Sequence, residues 1–266
     1  MPVMTEETTH RRDGDEGPAV VLLHSSAAGP QQWQALARAF KGRRRVTAPH
    51  LIGYGDAPAW RAPPRQTVAD QAARVLAGLE GVDGPIDFIG HSFGALVALE
   101  TAAALGDRAG RLVLFEPNPF ALLDRVGCEA ERAETVALFH HVKACGARGD
   151  WPTMAARFTD FFSGTGTWDA MPPERRAALA ASLGPNPHEW DAVMDTALRA
   201  DRWAALPAPV LLLWARDTPA PLRAVARILL GANPRWTGRA LERGGHMAPL
   251  TRPRAFNAEA ERFLAG

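Results

Sequence analysis

The sequence predicts an α/β protein built on a mostly parallel, doubly wound sheet with an all-helical segment inserted into it. Three observations carry that expectation. Short apolar runs alternate with helix-patterned segments, the order that gives parallel strands joined by helical crossovers. Several of the runs are apolar throughout, as strands covered on both faces are. A stretch of about ninety residues then breaks the rhythm with no strand-like run at all, and structureless loops of that length are uncommon in compact domains.

Taken in order, the expected strands are 19–24 (AVVLLH), 44–49 (RRVTAP), 85–90 (PIDFIG), 111–116 (RLVLFE), 208–215 (APVLLLWA) and 235–242 (RWTGRALE). Helices are expected over 31–40, 67–79, 93–105, 221–230 and 253–264. Residues 118–206 should hold four helices, near 121–147, 151–163, 173–182 and 187–200, separated by Gly and Pro. The chain therefore divides into a core of residues 1–117 and 207–266 and a helical cap of 118–206. The cap's aromatic residues, Phe161 and Trp168 among them, are expected to roof a substrate pocket.

Composition narrows the function. The chain has 266 residues, 47% of them hydrophobic, enough for a substantial core, and a formal net charge of +1. Near-zero charge gives no reason to expect nucleic acid or an anionic membrane as partner. Cys128 and Cys145 have no metal-type spacing and read as free thiols, which suits a reducing compartment. The amino terminus, with His10, is polar and lacks the apolar core of a signal peptide, and no run reaches the ~20 apolar residues of a membrane span. The expectation is a soluble, cytoplasmic protein whose partner is a small-molecule substrate.

The most informative stretch is "DFIGHSFGALVAL" (87–99). It contains G-x-S-x-G, Gly90 to Gly94, after a strand and opening a helix. A sharp strand-to-helix turn exposes Ser92 in a strained conformation, and larger residues at the flanking positions would meet backbone. The helix start presents N–H groups to a developing oxyanion. A serine hydroxyl needs a base. Of eight histidines, His246 in "ERGGHMAPL" follows the last strand and precedes the last helix, where such folds place their chemistry. A second oxyanion donor is expected from the small-residue turn in "LLHSSAAGPQQW", making the N–H groups of Ser26 and Phe93 the candidates.

By these motifs, together with "APHLIGYGDAP", "LVLFEPNP", "PVLLLWARDTPAP" and "GGHMAPLTRP", the sequence resembles the α/β-hydrolase superfamily over nearly its whole length. The resemblance implies a serine hydrolase with a helical cap and neither metal nor cofactor. It also implies Ser92 as nucleophile, His246 as base, and Ser26 and Phe93 lending the oxyanion hole. An ester-like bond of a small, largely apolar substrate is the expected target, with thioester, lactone and carbon–carbon bond hydrolysis open to the same machinery; a receptor, or a cofactor-free perhydrolase or haloperoxidase on the same scaffold, is the alternative. Two departures stand out: His24-Ser25 where the family usually has His-Gly, and His50 where Pro-Asp-Leu is common. The acid has two candidates. Asp217 lies in the usual family location, but it arrives one residue early counted from Pro209, and Thr218 takes the expected place. Glu116 ends the preceding strand, as the acid does in some members of the superfamily. A carboxylate closing so apolar a run is costly unless something pairs with it, so Glu116 is favoured.

Overall fold

The computed structural model describes residues 17–61 and 63–266. The polar amino terminus and His10 lie outside the described residues. Six strands form one sheet: β1 Ala19–Leu23, β2 Arg45–Thr47, β3 Ile86–His91, β4 Ala109–Phe115, β5 Val210–Ala215 and β6 Thr237–Leu241. Their order is β2-β1-β3-β4-β5-β6, and every neighbouring pair is parallel. The mostly parallel sheet expected from the sequence is wholly parallel among the described residues.

The apolar runs explain the two-sided burial. Side chains alternate across a strand. Val21 and Leu23, Phe88, Leu112 and Leu114, and Leu212 pack into one core, while Val20, Leu22, Ile89, Val113 and Leu213 pack into another. The helices α1 (Gln34–Phe40), α2 (Val68–Ala77) and α3 (Phe93–Leu105) follow the first three strands. Thr67 and Asp70 close a capping box at the start of α2. Phe93 to Ala102 in α3 are all buried, which is why this helix has no polar face. Glu100 is the exception in charge, and Arg202 pairs with it through two hydrogen bonds.

Between β4 and β5 the described chain holds only helices: α4 (Glu129–Arg148), α5 (Trp151–Ser163), α6 (Thr167–Ala170), α7 (Pro173–Ser182) and α8 (Asn186–Val193), with short 3-10 turns. Two expected helices are shorter than their patterns. The first starts at 129 instead of 121, because Glu129 turns its carboxylate back onto the Gly127 N–H (3.0 Å) and fixes a turn there. The last stops at Val193, because Asp195 accepts from the Ala197 N–H (2.9 Å) and competes with helical bonding. Leu138, Val142, Met154, Phe162 and Trp190 of this insertion join the same core as Phe93 and Leu96. After β5 come α9 (Ala220–Ala232), α10 (Ala248–Thr251) and α11 (Pro253–Ala265). Phe256, Ala260 and Leu264 of α11 cover the opposite face of the sheet with Trp33 and Leu36. Among the described residues, no helix is long and apolar enough to cross a membrane.

Candidate active site

The site forms where β3, β4 and β5 end. β3 runs into Ser92, whose N–H donates to the Phe115 carbonyl of β4 (2.8 Å). Ser92 has φ +56° and ψ −121°, a backbone conformation costing about 1–3 kcal/mol. Its flanking glycines permit the turn. A Cβ on Gly90 would lie 2.5 Å from the Ala95 Cα, and one on Gly94 would lie 2.4 Å from the carbonyl oxygens of Leu23 and His24. Neither position can take a side chain without moving backbone.

The turn aims the Ser92 hydroxyl at His246, with Oγ 2.9 Å from Nε2. On the other side of the ring, Nδ1 lies 2.6 Å from Glu116 Oε2. A carboxylate can only accept, so Nδ1 carries the proton and Nε2 presents its lone pair to the serine hydroxyl. Ser92 and His246 are each 3% exposed and Glu116 is fully buried. Out of water, such charge-assisted bonds are strong and directional.

Glu116 is held from several sides. Its own φ is +46°, and its N–H donates to the Leu213 carbonyl. Oε1 accepts from the Ala215 N–H (2.8 Å), and Oε2 accepts from the Thr218 hydroxyl (2.8 Å) as well as from His246. Asp217 makes no hydrogen bond to the imidazole, whose two nitrogens meet Glu116 and Ser92. Its carboxylate accepts from the N–H groups of Gly244 and Gly245 (3.1 and 2.8 Å), the turn that delivers His246. Burial works to raise the Asp217 pKa, but those two N–H groups, its own N–H and the Arg252 charge together leave the carboxyl below its ordinary value.

The backbone of His246 has its own support. His91 Nε2–H donates to the His246 carbonyl (2.8 Å), and Gln32 Nε2 donates to His91 Nδ1 (3.0 Å). Gln32 Oε1 in turn accepts from the N–H and the hydroxyl of Ser25 (3.1 and 3.0 Å). Desolvation, then the neighbouring His246, push the His91 pKa well down, so it stays neutral in this chain of bonds. Phe162 stacks on the His246 ring at 4.7 Å between centroids.

Ser26 lies on the turn after β1, and Phe93 opens α3. The first N–H of a helix has no partner within it, and among the described residues neither the Ser26 nor the Phe93 N–H donates a hydrogen bond. Ser26, Ser92 and His246 line one cavity of about 1330 Å³ with Phe158, Thr159 and Phe161 of α5. Trp168 is not among its lining residues. Its N–H donates to Asp160 (2.9 Å), and the Arg176 guanidinium sits 5.8 Å from its ring centroid, so α5 and α7 hold it within the insertion instead. Cys128 and Cys145 are free and buried. Among the described residues, no three His, Cys, Asp or Glu side chains cluster as metal ligands would.

The sequence reading missed Thr218 as a partner of the carboxylate, and it missed Gln32 and the ring contact of Phe162. Thr218 carried a signal, since it occupies the place where an acid was expected. Phe162 belonged to the aromatic-rich insertion expected to roof the pocket, but its contact with His246 had no local signal, and neither did Gln32 with His91, 59 residues away.

A wholly parallel sheet, a strained serine at a strand-to-helix turn and a histidine from the loop after the last strand define an α/β-fold hydrolase. The chain belongs to the alpha/beta hydrolase family, whose model matches residues 20–259. A pimeloyl-[acyl-carrier protein] methyl ester esterase of Methylococcus capsulatus is 30% identical over 230 residues, 81% of this chain and 84% of that protein. The lipase LipV of Mycobacterium tuberculosis is 38% identical over 108 residues, a match spanning 40% of each protein. Similarity to the lipase thus extends over less than half its length. In fold, the chain resembles a hydrolase from Pseudomonas aeruginosa with a TM-score of 0.74 at 22% identity, covering 94% of this chain and 91% of that one.

Proposed function

We propose that this hydrolase cleaves an ester-like bond of a small, largely apolar substrate through an acyl-enzyme on Ser92. The observation that carries the proposal is the unbroken chain of hydrogen bonds from the Ser92 hydroxyl through His246 to the buried Glu116. In the first half-reaction Ser92 Oγ attacks the carbonyl carbon while His246 Nε2 takes the hydroxyl proton. Glu116 stabilises the imidazolium that results and keeps the ring in its productive tautomer. The N–H groups of Phe93 and Ser26 receive the oxyanion. His246 then gives its proton to the leaving alcohol. In the second half-reaction it takes a proton from water, hydroxide adds to the acyl carbon, and Ser92 leaves with that proton restored.

An apolar substrate suits the cavity, which Phe158 and Phe161 of α5 line together with Ser92 and His246. Such walls favour an apolar acyl or alcohol group at that end of the cavity. The similarity to a methyl ester esterase and to a lipase supports an ester over other acyl bonds. Phe161→Ala should change the ratio of kcat/KM between short and bulky esters. The free, buried Cys128 and Cys145 suit a reducing compartment such as the cytoplasm.

Labelling with a fluorophosphonate tests the reading. One equivalent should attach to the Ser92 peptide of the wild type, with loss of p-nitrophenyl butyrate turnover, and Ser92→Ala should take up none. Equal labelling of the two proteins would overturn the assignment. Tight ligand binding without turnover would point to a binding protein instead.

A further inference from the structure

One buried carboxylate of the insertion plays no part in this chemistry. Glu189 of α8 is 1% exposed. Its Oε2 accepts from Asn186 Nδ2 (3.0 Å), while Oε1 makes no well-formed hydrogen bond. Burying a carboxylate is expensive unless polar partners compensate. The hydroxyls of Tyr54 and Ser26 are the groups that face it. Desolvation drives the Glu189 pKa up to about 7, against the opposing pull of Ser26, Tyr54 and Asn186.

Tyr54 ties this carboxylate to the turn after β1. It is 5% exposed, and its hydroxyl oxygen accepts from the Ala27 N–H (3.0 Å). With the oxygen so engaged, its single proton is free to point at an acceptor, and the facing acceptor is Glu189. Ala27 stands at φ +57°, a conformation that needs outside support in a residue with a side chain. The same turn carries Ser26. A separate contact locks the tyrosine loop to α8: a Cβ on Gly53 would come within 2.8 Å of the Pro185 side chain, so loop and insertion meet without room between them.

We infer that Glu189 is a positioning residue which, through the hydroxyls of Tyr54 and Ser26, holds the Ser26–Ala27 peptide in place, so that seating of the insertion and formation of the oxyanion hole are one event. The inference rests on the serine-hydrolase reading for its catalytic consequence, but the brace itself is a statement about hydrogen bonds. An insertion displaced from the sheet would release the turn, and the chain would attack carbonyls slowly until α8 returned.

Tyr54 is the only tyrosine in the chain, so tyrosine labelled with ¹³C at Cζ gives one resonance that reports its hydrogen bonds. Glu189→Leu should shift that resonance, and Glu189→Gln, which keeps an acceptor, should shift it much less. With p-nitrophenyl butyrate, Tyr54→Phe and Glu189→Leu should each lower kcat by about 10- to 100-fold while KM stays within about threefold, the pattern of a lost transition-state interaction. Their double variant should be no slower than the worse single one, and Glu189→Gln should recover most of the rate. Thermal denaturation shows which variants are folded, and the near-isosteric Tyr54→Phe keeps the test open if Glu189→Leu is not. A Tyr54 resonance blind to residue 189, or losses that multiply in the double variant, would overturn the inference. A resonance that shifts as expected in Glu189→Leu, in a protein whose wild type hydrolyses no ester, would uphold the brace and sink the hydrolase reading.

Discussion

Glu116 and Asp217 close adjacent strands of one sheet, and both reach the loop that carries His246, yet one holds its ring and the other its backbone. Glu116 is fully buried at the end of β4 and meets Nδ1 at 2.6 Å. Asp217, two residues past β5 and exposed, takes the Gly244 and Gly245 N–H groups instead. The difference teaches that a carboxylate's role here is set by where its strand stops. β4 carries its last side chain into the interior, where the imidazole is the natural partner. β5 is followed by a turn that points Asp217 at loop backbone and puts Thr218, 1% exposed, where a carboxylate would have faced the histidine. The hydroxyl of Thr218 then serves Glu116 (2.8 Å). One strand end lends the carboxylate and its neighbour lends a donor that steadies it.

The largest expected effect breaks this comparison at its buried side. Glu116→Gln keeps the shape but removes the charge and the tautomer control, and kcat for p-nitrophenyl butyrate should fall by about 10³–10⁴-fold. A loss of less than tenfold would mean that His246 is oriented by something else. Thr218→Val should cost about tenfold or less, since it deletes one neutral donor and leaves the carboxylate with two N–H partners. Combining Glu116→Gln with Thr218→Asp sharpens the point. A carboxylate restored from the β5 side should recover part of the lost rate, and no recovery would show that the ring accepts a partner only from β4.

Asp217→Asn should have the smallest effect on turnover, within about fivefold, because it touches the loop and not the ring. Its signature is in stability. The Asp217 pKa is lowered in the folded state, so its contribution is present above the unfolded value and is lost as pH falls through the folded one. The exposed carboxylate is worth roughly 1 kcal/mol or less. Urea denaturation should therefore separate Asp217→Asn from the wild type at pH 7 and bring the two together at pH 2–3. A gap that widens toward low pH would contradict the assignment.

Much of this site was legible in the sequence because its signals are local. Val20 to Leu23 and Leu211 to Leu213 are apolar at every position, which a strand covered on both faces requires. The G-x-S-x-G turn states its own geometry, since Gly90 and Gly94 would each clash with backbone if they bore a side chain. Glu116 stood out as a charge ending an apolar strand, and its pairing with His246 is the compensation that burial demands. The pairings between distant residues were not legible. Gln32 with His91, and Glu100 with Arg202, join segments 59 and 102 residues apart, and no periodicity or spacing links them. Trp168 read as a pocket aromatic because composition cannot say which way a short helix turns its rings. The ends of α4 and α8 were misplaced because single side chains, Glu129 and Asp195, redirect the backbone against the helical pattern.

The contact on which the account turns is the one between His246 Nδ1 and the Glu116 carboxylate. A proton held there should give a far-downfield ¹H signal, slow to exchange with water, in protein labelled with ¹⁵N at histidine. This signal should be present in the wild type and in Asp217→Asn and absent in Glu116→Gln. A signal that survives Glu116→Gln and vanishes in Asp217→Asn would contradict that pairing.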